Sequence, residues 1–286
     1  MTTPVNADDS GEHRWYTHPT TGERFLSVTA ALGYIAKREL PDWAASLSAK
    51  AAIDAWSRVR DAAVIDPCDR KGDQACGQCR TCMTVWLRDR HRVVRDTASH
   101  LGSRFHSAVD HQTKFGSGGH VDADVLPFLD AYNTWAERAK PTYKAAEVTV
   151  FSRKYGYAGT LDAVQFFGVK SELPPKLAHL KRRNVLVDYK TGKTVGAPSG
   201  WQLNAYRNAE GVLMPDGTEL KLPRIGAGMV LHVRPESEGG VKMREAFLTP
   251  KNFAHFIHAL RIAEAMMSPL GESLSRPQRF TTPKEA

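Results

Sequence analysis

Val185-Leu186-Val187-Asp188-Tyr189-Lys190 is a short apolar run that ends in an acid, a tyrosine and an amine. Its β-branched and aliphatic residues read as a strand over 184–190. Side chains alternate along a strand, so Leu186, Asp188 and Lys190 share one face. A carboxylate and an ammonium are thereby held side by side where the apolar part stops. An acid-x-Lys triplet alone is cheap, since Asp69-x-Lys71 and Glu219-x-Lys221 occur in the same chain. Three further elements, read outward from this strand, raise its weight.

Upstream, Gly159-Thr160-Leu161-Asp162 lies within a strand expected over 157–167. Alternation places Asp162 on the face of Thr160 and Val164. If the two strands pair, Asp162 and Asp188 converge on a hard divalent cation with Lys190 beside it. Mg²⁺ suits carboxylates and water, and it can polarise a phosphoryl oxygen and lower the pKa of an attacking water. Downstream, Gln202-Leu-Asn-Ala-Tyr206 sits in a helix expected from Pro198 to 211, where positions four apart share a face. Read alone it is a surface helix with a half-buried tyrosine. Gly102-Ser-Arg-Phe-His106 supplies the last element: Phe105 belongs to a buried stripe, His106 lies at its margin, and Gly102 leaves room for a close approach. A lone helix histidine is usually structural or solvated. Here it offers an imidazole ligand that tilts the metal preference toward Mn²⁺.

In this order, His106, Gly159-x-x-Asp162, Asp188-x-Lys190 and Gln202-x3-Tyr206 resemble the RecB-like branch of the PD-(D/E)XK nucleases, which includes CRISPR-associated and phage exonucleases. The resemblance covers about residues 101–212, and Ser27-Val-Thr and Leu40-Pro-Asp-Trp43 look like the helical lead-in of phage-type members. It implies an α/β fold: a restriction-endonuclease-like core, a mixed central sheet flanked by helices, behind a helical N-terminal part. It implies Asp162 and Asp188 as metal ligands, His106 and the Tyr189 carbonyl as additional ones, and Lys190 as the catalytic lysine. Gln202 and Tyr206 would contact DNA near the scissile phosphate, and Glu147 would be an additional acid. Asp188 stands where many members carry Glu.

The four cysteines, Cys68, Cys76, Cys79 and Cys82, fall within fifteen residues. The chain shows no hydrophobic leader, so the cluster reads as a metal site rather than a disulfide framework. Four thiolates can close a tetrahedral Zn²⁺ site or hold a [4Fe–4S] cluster. Zinc is preferred on thiolate chemistry. The iron–sulfur relatives usually carry one cysteine before the core and three after Gln-x3-Tyr, an arrangement that does not transfer to a chain with none beyond Cys82. Lys plus Arg exceeds Asp plus Glu by 39 to 31, a net charge of +8, as suits a protein that handles a polyanion. Arg88, Arg90, Arg92 and Arg95, with Lys181, Arg182 and Arg183 in an exposed basic loop over 170–183, make a candidate DNA track.

The regions expected are a disordered tail over 1–13 and a helical part over 14–113 that carries the cysteines (68–82) and His106. A nuclease core over 114–268 and a tail over 269–286 follow. Within the helical part, a hairpin is expected over 15–26, a helix over 27–34, and a second over 41–60 with Trp43, Leu47, Ala51 and Ala55 on one face. A long third helix is expected over 84–112, with Leu87, Val94, Leu101, Phe105 and Ala108 in one buried stripe, and a strand is expected over 147–152. No apolar run is long enough to span a bilayer, so the reading is a cytoplasmic protein without membrane contact. The function expected is metal-dependent hydrolysis of linear DNA from its ends in recombination, repair or phage replication, with a helicase or single-strand annealing protein as partner. An endonuclease, a catalytically idle DNA-binding accessory protein and a cysteine-based redox sensor are the competing readings.

Overall fold

The computed structural model describes residues 6–11, 13–35, 40–68, 76–116 and 119–268. The run at 184–190 is strand β6 (Asn184–Lys190). It lies antiparallel to β5 (Tyr157–Phe167) and parallel to β9 (Ala227–Val233), so both its edges are occupied. Strands enclosed in this way read as continuous apolar runs, and Val185, Leu186 and Val187 are fully buried.

β5 is the fork of a curled, ten-stranded mixed sheet. Along one edge it pairs with β4 (Pro141–Ser152) from end to end. On the other edge two strands share it. β3 (Arg24–Ser27) runs parallel at Tyr157 and Ala158, and β6 runs antiparallel from Ala163 to Phe166. Between them, residues 159–162 have no strand partner on that edge among the described residues. The β3 arm continues to β2 (Trp15–Thr17) and β1 (Ala7–Asp8); the β6 arm continues through β9 to β10 (Val241–Ala246). Beyond β4 lie β7 (Gly211–Leu213) and β8 (Glu219–Leu220).

Helices cover both faces of this sheet. On one face α1 (Val28–Gly33), α7 (Ala197–Arg207) and α8 (Pro250–Met267) bring Leu32, Leu203, Phe256 and Leu260 against Leu161, Leu186 and Val230. On the other, α5 (Arg90–Phe115) and α6 (Leu126–Ala139) bring Phe105, Val109, Leu129 and Tyr132 against Val185, Val187, Tyr189 and Met229. Leu186 thus enters one core while Val185 and Val187 enter the other, as alternation requires. α2 (Leu40–Asp54), α3 (Trp56–Ala62) and α4 (Arg80–Arg88) form a helical unit against the first half of α5, tied by the Ser48 hydroxyl donating to the Leu87 carbonyl at 2.9 Å. No helix among the described residues is long and apolar enough to cross a membrane.

Several boundaries differ from the expected ones. The 41–60 helix breaks at Ala55, where the backbone leaves helical geometry, although Trp43, Leu47, Ala51 and Ala55 do face inward, half-buried. The 84–112 helix breaks at Asp89, and the apolar stripe drawn through Val94 does not hold: residues 92–100 are all exposed. Periodicity carried across the break because a single residue, Asp89, separates the two helices, its carboxylate taken by Arg88 and Arg92. The helix over 198–211 ends at Arg207, and the short β7–β8 hairpin follows. The strand at 147 begins at Pro141, where Lys144, Ala145 and Ala146 carry little β-propensity. The N-terminal part is not purely helical, since β1–β3 join the sheet, and Ala7–Asp8 pair with Trp15–Tyr16 where a disordered tail was expected. The 170–183 segment is a 3₁₀ turn (Pro175–Leu180) pinned by buried Leu177 and Leu180, and only Arg182 and Arg183 of its last three cations are exposed. The expected tail over 269–286 lies outside the described residues.

Candidate functional site

The unpaired stretch of β5 ends at Asp162, and the strand opposite it is bent there. Val148 pairs with Leu161 and Ala146 with Ala163, which sets Glu147 across from Asp162. Glu147 adopts a left-handed conformation (φ 47°), a strain of about 1–3 kcal/mol that persists only where the surroundings enforce it. Alternation slips at this point in β5. Leu161 and Val164 both enter the α7–α8 core, while Thr160 turns the other way and bonds the Tyr16 hydroxyl at 3.1 Å. Thr160 and Val164 therefore do not share the face on which Asp162 was expected; the Glu147 bend flips the pleat between them.

Past Ala163–Val187 the β5–β6 ladder stops, and the Asp162 side chain continues it. Its Oδ2 accepts the Tyr189 backbone N–H at 2.6 Å. Its Oδ1 lies 3.4 Å from His106 Nδ1, and Glu147 Oε1 lies 3.8 Å from the same nitrogen. The other ring nitrogen, Nε2, sits 3.1 Å from the Tyr189 carbonyl. That carbonyl, expected to face a metal, instead fixes the imidazole. Gly102, one turn earlier on α5, lets the helix approach: a Cβ there would meet Thr191 Oγ1 at 3.2 Å.

The ligand atoms of His106, Glu147 and Asp162 lie within 4.8 Å of one another. The acid that sequence reasoning treated as supplementary is in the cluster. Asp188 is not: its Oδ1 accepts Lys190 Nζ at 2.7 Å. Its Oδ2 is buried without a hydrogen-bond partner. An orphaned carboxylate oxygen is costly, and it offers one more hard donor beside the cluster. Two carboxylates, an imidazole and this spare oxygen fit Mg²⁺ or Mn²⁺.

Crowded acids in a partly buried site titrate abnormally. Burial opposes the His106 imidazolium, but Asp162 and Glu147 outweigh it and push the ring up to about 9. Burial, then the Asp162 charge, raises Glu147 to about 8. Burial raises Asp188 to about 6, against the pull of Lys190. Asp162 is buried too, yet His106 and Lys190 hold it below the ordinary carboxylate value. Lys190 stays charged, because Asp188 and Asp162 outweigh its burial.

Gln202 and Tyr206 share a face of α7 as their spacing requires, but both are buried. Gln202 Oε1 accepts from Lys190 at 3.4 Å, and its Nε2 donates to the Tyr206 hydroxyl at 3.1 Å. The Tyr206 ring lies against Gly159, where a Cβ would come within 2.7 Å. The pair props Lys190 from behind rather than offering a phenol to a ligand. His232, which the sequence did not single out, is in register with Lys190 on β9 and bonds the Gly192 carbonyl at 2.6 Å through Nε2. A buried chain of Tyr132, Tyr143, Tyr189 and Gln165 supports the same strand end. Only the alternation of β5 and β6 could have hinted at it.

The four cysteines do converge. Cys68–Cys82, Cys68–Cys79 and Cys76–Cys82 Sγ separations are 3.5, 3.6 and 3.7 Å, too long for disulfides and close to the about 3.8 Å between thiolates on one tetrahedral zinc. The Gln78 and Cys79 N–H groups point at Cys76 Sγ. Backbone hydrogen bonds at Cys82 and Cys68 lower the Cys79 thiol to about 6, while at Cys82 the Gly77 backbone hydrogen bond is outweighed by the crowded sulfurs of Cys68, Cys79 and Cys76, and that thiol is pushed up to about 12. The cluster can bind a structural metal such as zinc. Members of the expected arginine track already have partners, with Arg88 and Arg95 themselves exposed: Arg88 pairs with Asp89, Arg95 with Asp96, and Arg90 stacks over Trp86.

His106, Glu147 and Asp188 all titrate above their ordinary values of 6.5, 4.5 and 3.8. A group that holds its proton more tightly when folded adds stability that is complete below its unfolded pKa and lost as pH rises through its folded one. Asp162 runs the opposite way and matters only in acid. Without added divalent cation, the melting temperature should therefore fall from pH 5 to pH 9, and Glu147→Gln should flatten the decline below pH 8. A profile identical in wild type and variant would contradict the cluster.

No protein-family model matches this chain, and no curated protein matches it significantly.

Proposed function

We propose that this protein is a metal-dependent deoxyribonuclease of the PD-(D/E)XK type, working as an exonuclease. The observation that carries the reading is the convergence of Asp162, Glu147 and His106 at an unpaired strand edge, with the Lys190 ammonium and the spare Asp188 oxygen alongside. The mixed sheet flanked by helices is compatible with that core, and the ordered motifs from His106 to Tyr206 add to it. The exonuclease assignment rests on the resemblance; an endonuclease is the alternative. DNA ends as substrate, a helicase or annealing partner and a cytoplasmic setting belong to the same proposal.

The residues divide the work. Asp162, Glu147, His106 and Asp188 would hold Mg²⁺ or Mn²⁺, which when bound would polarise a phosphoryl oxygen and acidify water. Lys190, charged and braced by Asp188 and Gln202, places an ammonium where negative charge grows on the phosphate. Tyr206 keeps Gln202 in place, and Gly159 gives the Tyr206 ring its room. At the second metal site we infer zinc rather than an iron–sulfur cluster, because thiols under 4 Å apart suit one ion. A four-iron core would spread them further.

On end-labelled linear and circular DNA, Lys190→Ala should lower cleavage about 10²–10³-fold, with wild-type activity requiring Mg²⁺ or Mn²⁺. Loss of linear DNA only supports the exonuclease, and cutting of circles moves the reading to an endonuclease. Wild type that binds DNA but never cleaves it would establish the idle binding protein instead. Purified protein should be colourless with one zinc per chain, and Cys79→Ser should lose that zinc and unfold at lower temperature. Visible absorption with bound iron would overturn the zinc assignment.

A further inference from the structure

A cleft of about 800 Å³ opens between the N-terminal hairpin, α1 and the exposed first half of α5. Arg14, Thr29 and Tyr34 line one wall, and Arg95, Ser99 and Ser103 the other. At 100° per residue, Arg95, Ser99 and His106 fall within about 40° of one another on α5, with Ser103 about 40° further round. The α5 wall is thus one continuous helix face that runs down to the His106–Asp162–Glu147 cluster. From Arg95 to His106 it extends about 16 Å, the length of four to five stacked nucleotides at about 3.4 Å each.

The lining has the composition that grips a strand without reading its sequence: guanidinium groups for phosphates, hydroxyls for oxygens, and an aromatic surface for bases. The aromatic surface is Tyr34 with His13, their rings 5.2 Å apart and their polar atoms bonded at 2.7 Å. Arg95 pairs with Asp96 on the exposed helix surface, whereas Arg14 is half-buried and held at two points by Asp9, which also lines the cleft. An exposed pair such as Arg95–Asp96 is weak and yields to a phosphate. Spread along the helix from Arg95 to Ser103, the cleft volume corresponds to a channel about 8 Å across, narrower than a duplex.

We propose that this cleft and the α5 face below it together seat four to five nucleotides of a single DNA strand, with its end at the acidic cluster. The protein then acts on single-stranded tracts or frayed ends in preference to intact duplex. The proposal rests on the nuclease reading and names its substrate.

The test is fluorescence anisotropy without divalent cation, using dye-labelled oligo(dT) of three, five and eight nucleotides and a blunt DNA hairpin. Wild type, Ser99→Trp to fill the cleft, Arg95→Glu and the remote control Arg261→Glu on α8 are compared. Wild type should bind strands more tightly than the hairpin, with the gain levelling off near five nucleotides. Ser99→Trp and Arg95→Glu should each weaken strand binding tenfold or more, while the control is unchanged. Arg95 is exposed on a helix surface, so Arg95→Glu decides the matter if the tryptophan variant unfolds early. Strand binding equal to wild type in both cleft variants, or preference for the hairpin, overturns the proposal while leaving the nuclease reading standing. Wild type that neither binds nor cleaves DNA removes both.

Discussion

The hydrogen bond from the Tyr189 N–H to the Asp162 carboxylate is the contact on which the site depends. It forms because β5 is shared by two strands on one edge, with a gap of unpaired backbone between them. A buried N–H left without an acceptor is expensive. Asp162 supplies that acceptor, and in doing so ties the end of β6 to the gap. Everything else is arranged around that join. The Tyr189 carbonyl on the same residue orients His106, the bend at Glu147 faces a second acid across the gap, and Lys190 follows one residue later. One side chain serves both purposes: Asp162 Oδ2 completes the sheet's hydrogen bonding, and Oδ1 faces His106 in the candidate site.

α5 connects this join to the rest of the chain. Its second half is buried against β6 and β9 through Phe105 and Val109, while its first half stands clear of the sheet beside α2 and α4. The cysteine cluster sits at the start of α4, a few residues before Asp89, so a metal there stiffens the base of the helix that carries His106. α5 thus links the base beside the cysteine cluster to His106, 16 residues or about 24 Å further along the helix. A helix of 26 residues, about 39 Å long, is a stiff enough rod to relate them.

Much of this was legible in the sequence, for physical reasons that can be named. Enclosed strands must be apolar, so 184–190 and 157–167 were visible as strands, and the Asp188–Lys190 face followed from a period of two. Helix spacing correctly placed Gln202 beside Tyr206 and His106 at the edge of the Phe105 stripe. Cysteine spacing foretold convergence of the thiols. What failed was anything that depends on a break in regularity. The left-handed turn at Glu147 has no signature in side-chain type, so the flipped face at Asp162 could not be read, and Glu147 entered as an additional acid only through the resemblance. Asp89 is an ordinary helix residue in a periodicity count, and the break there exposed Val94. Gln202 and Tyr206 were placed correctly but are buried, because the close approach at Gly159 is a three-dimensional fact.

The central claim is that Glu147 and Asp162, brought face to face at the fork of β5, build one divalent-cation site with His106. Electron paramagnetic resonance of Mn²⁺ titrated into the zinc-loaded protein tests it most directly. The account predicts one tight Mn²⁺ site per chain in wild type, weakened at least tenfold by Glu147→Gln and by Asp162→Asn in variants that remain folded. Wild-type affinity in Glu147→Gln, or no bound Mn²⁺ in wild type, would contradict it.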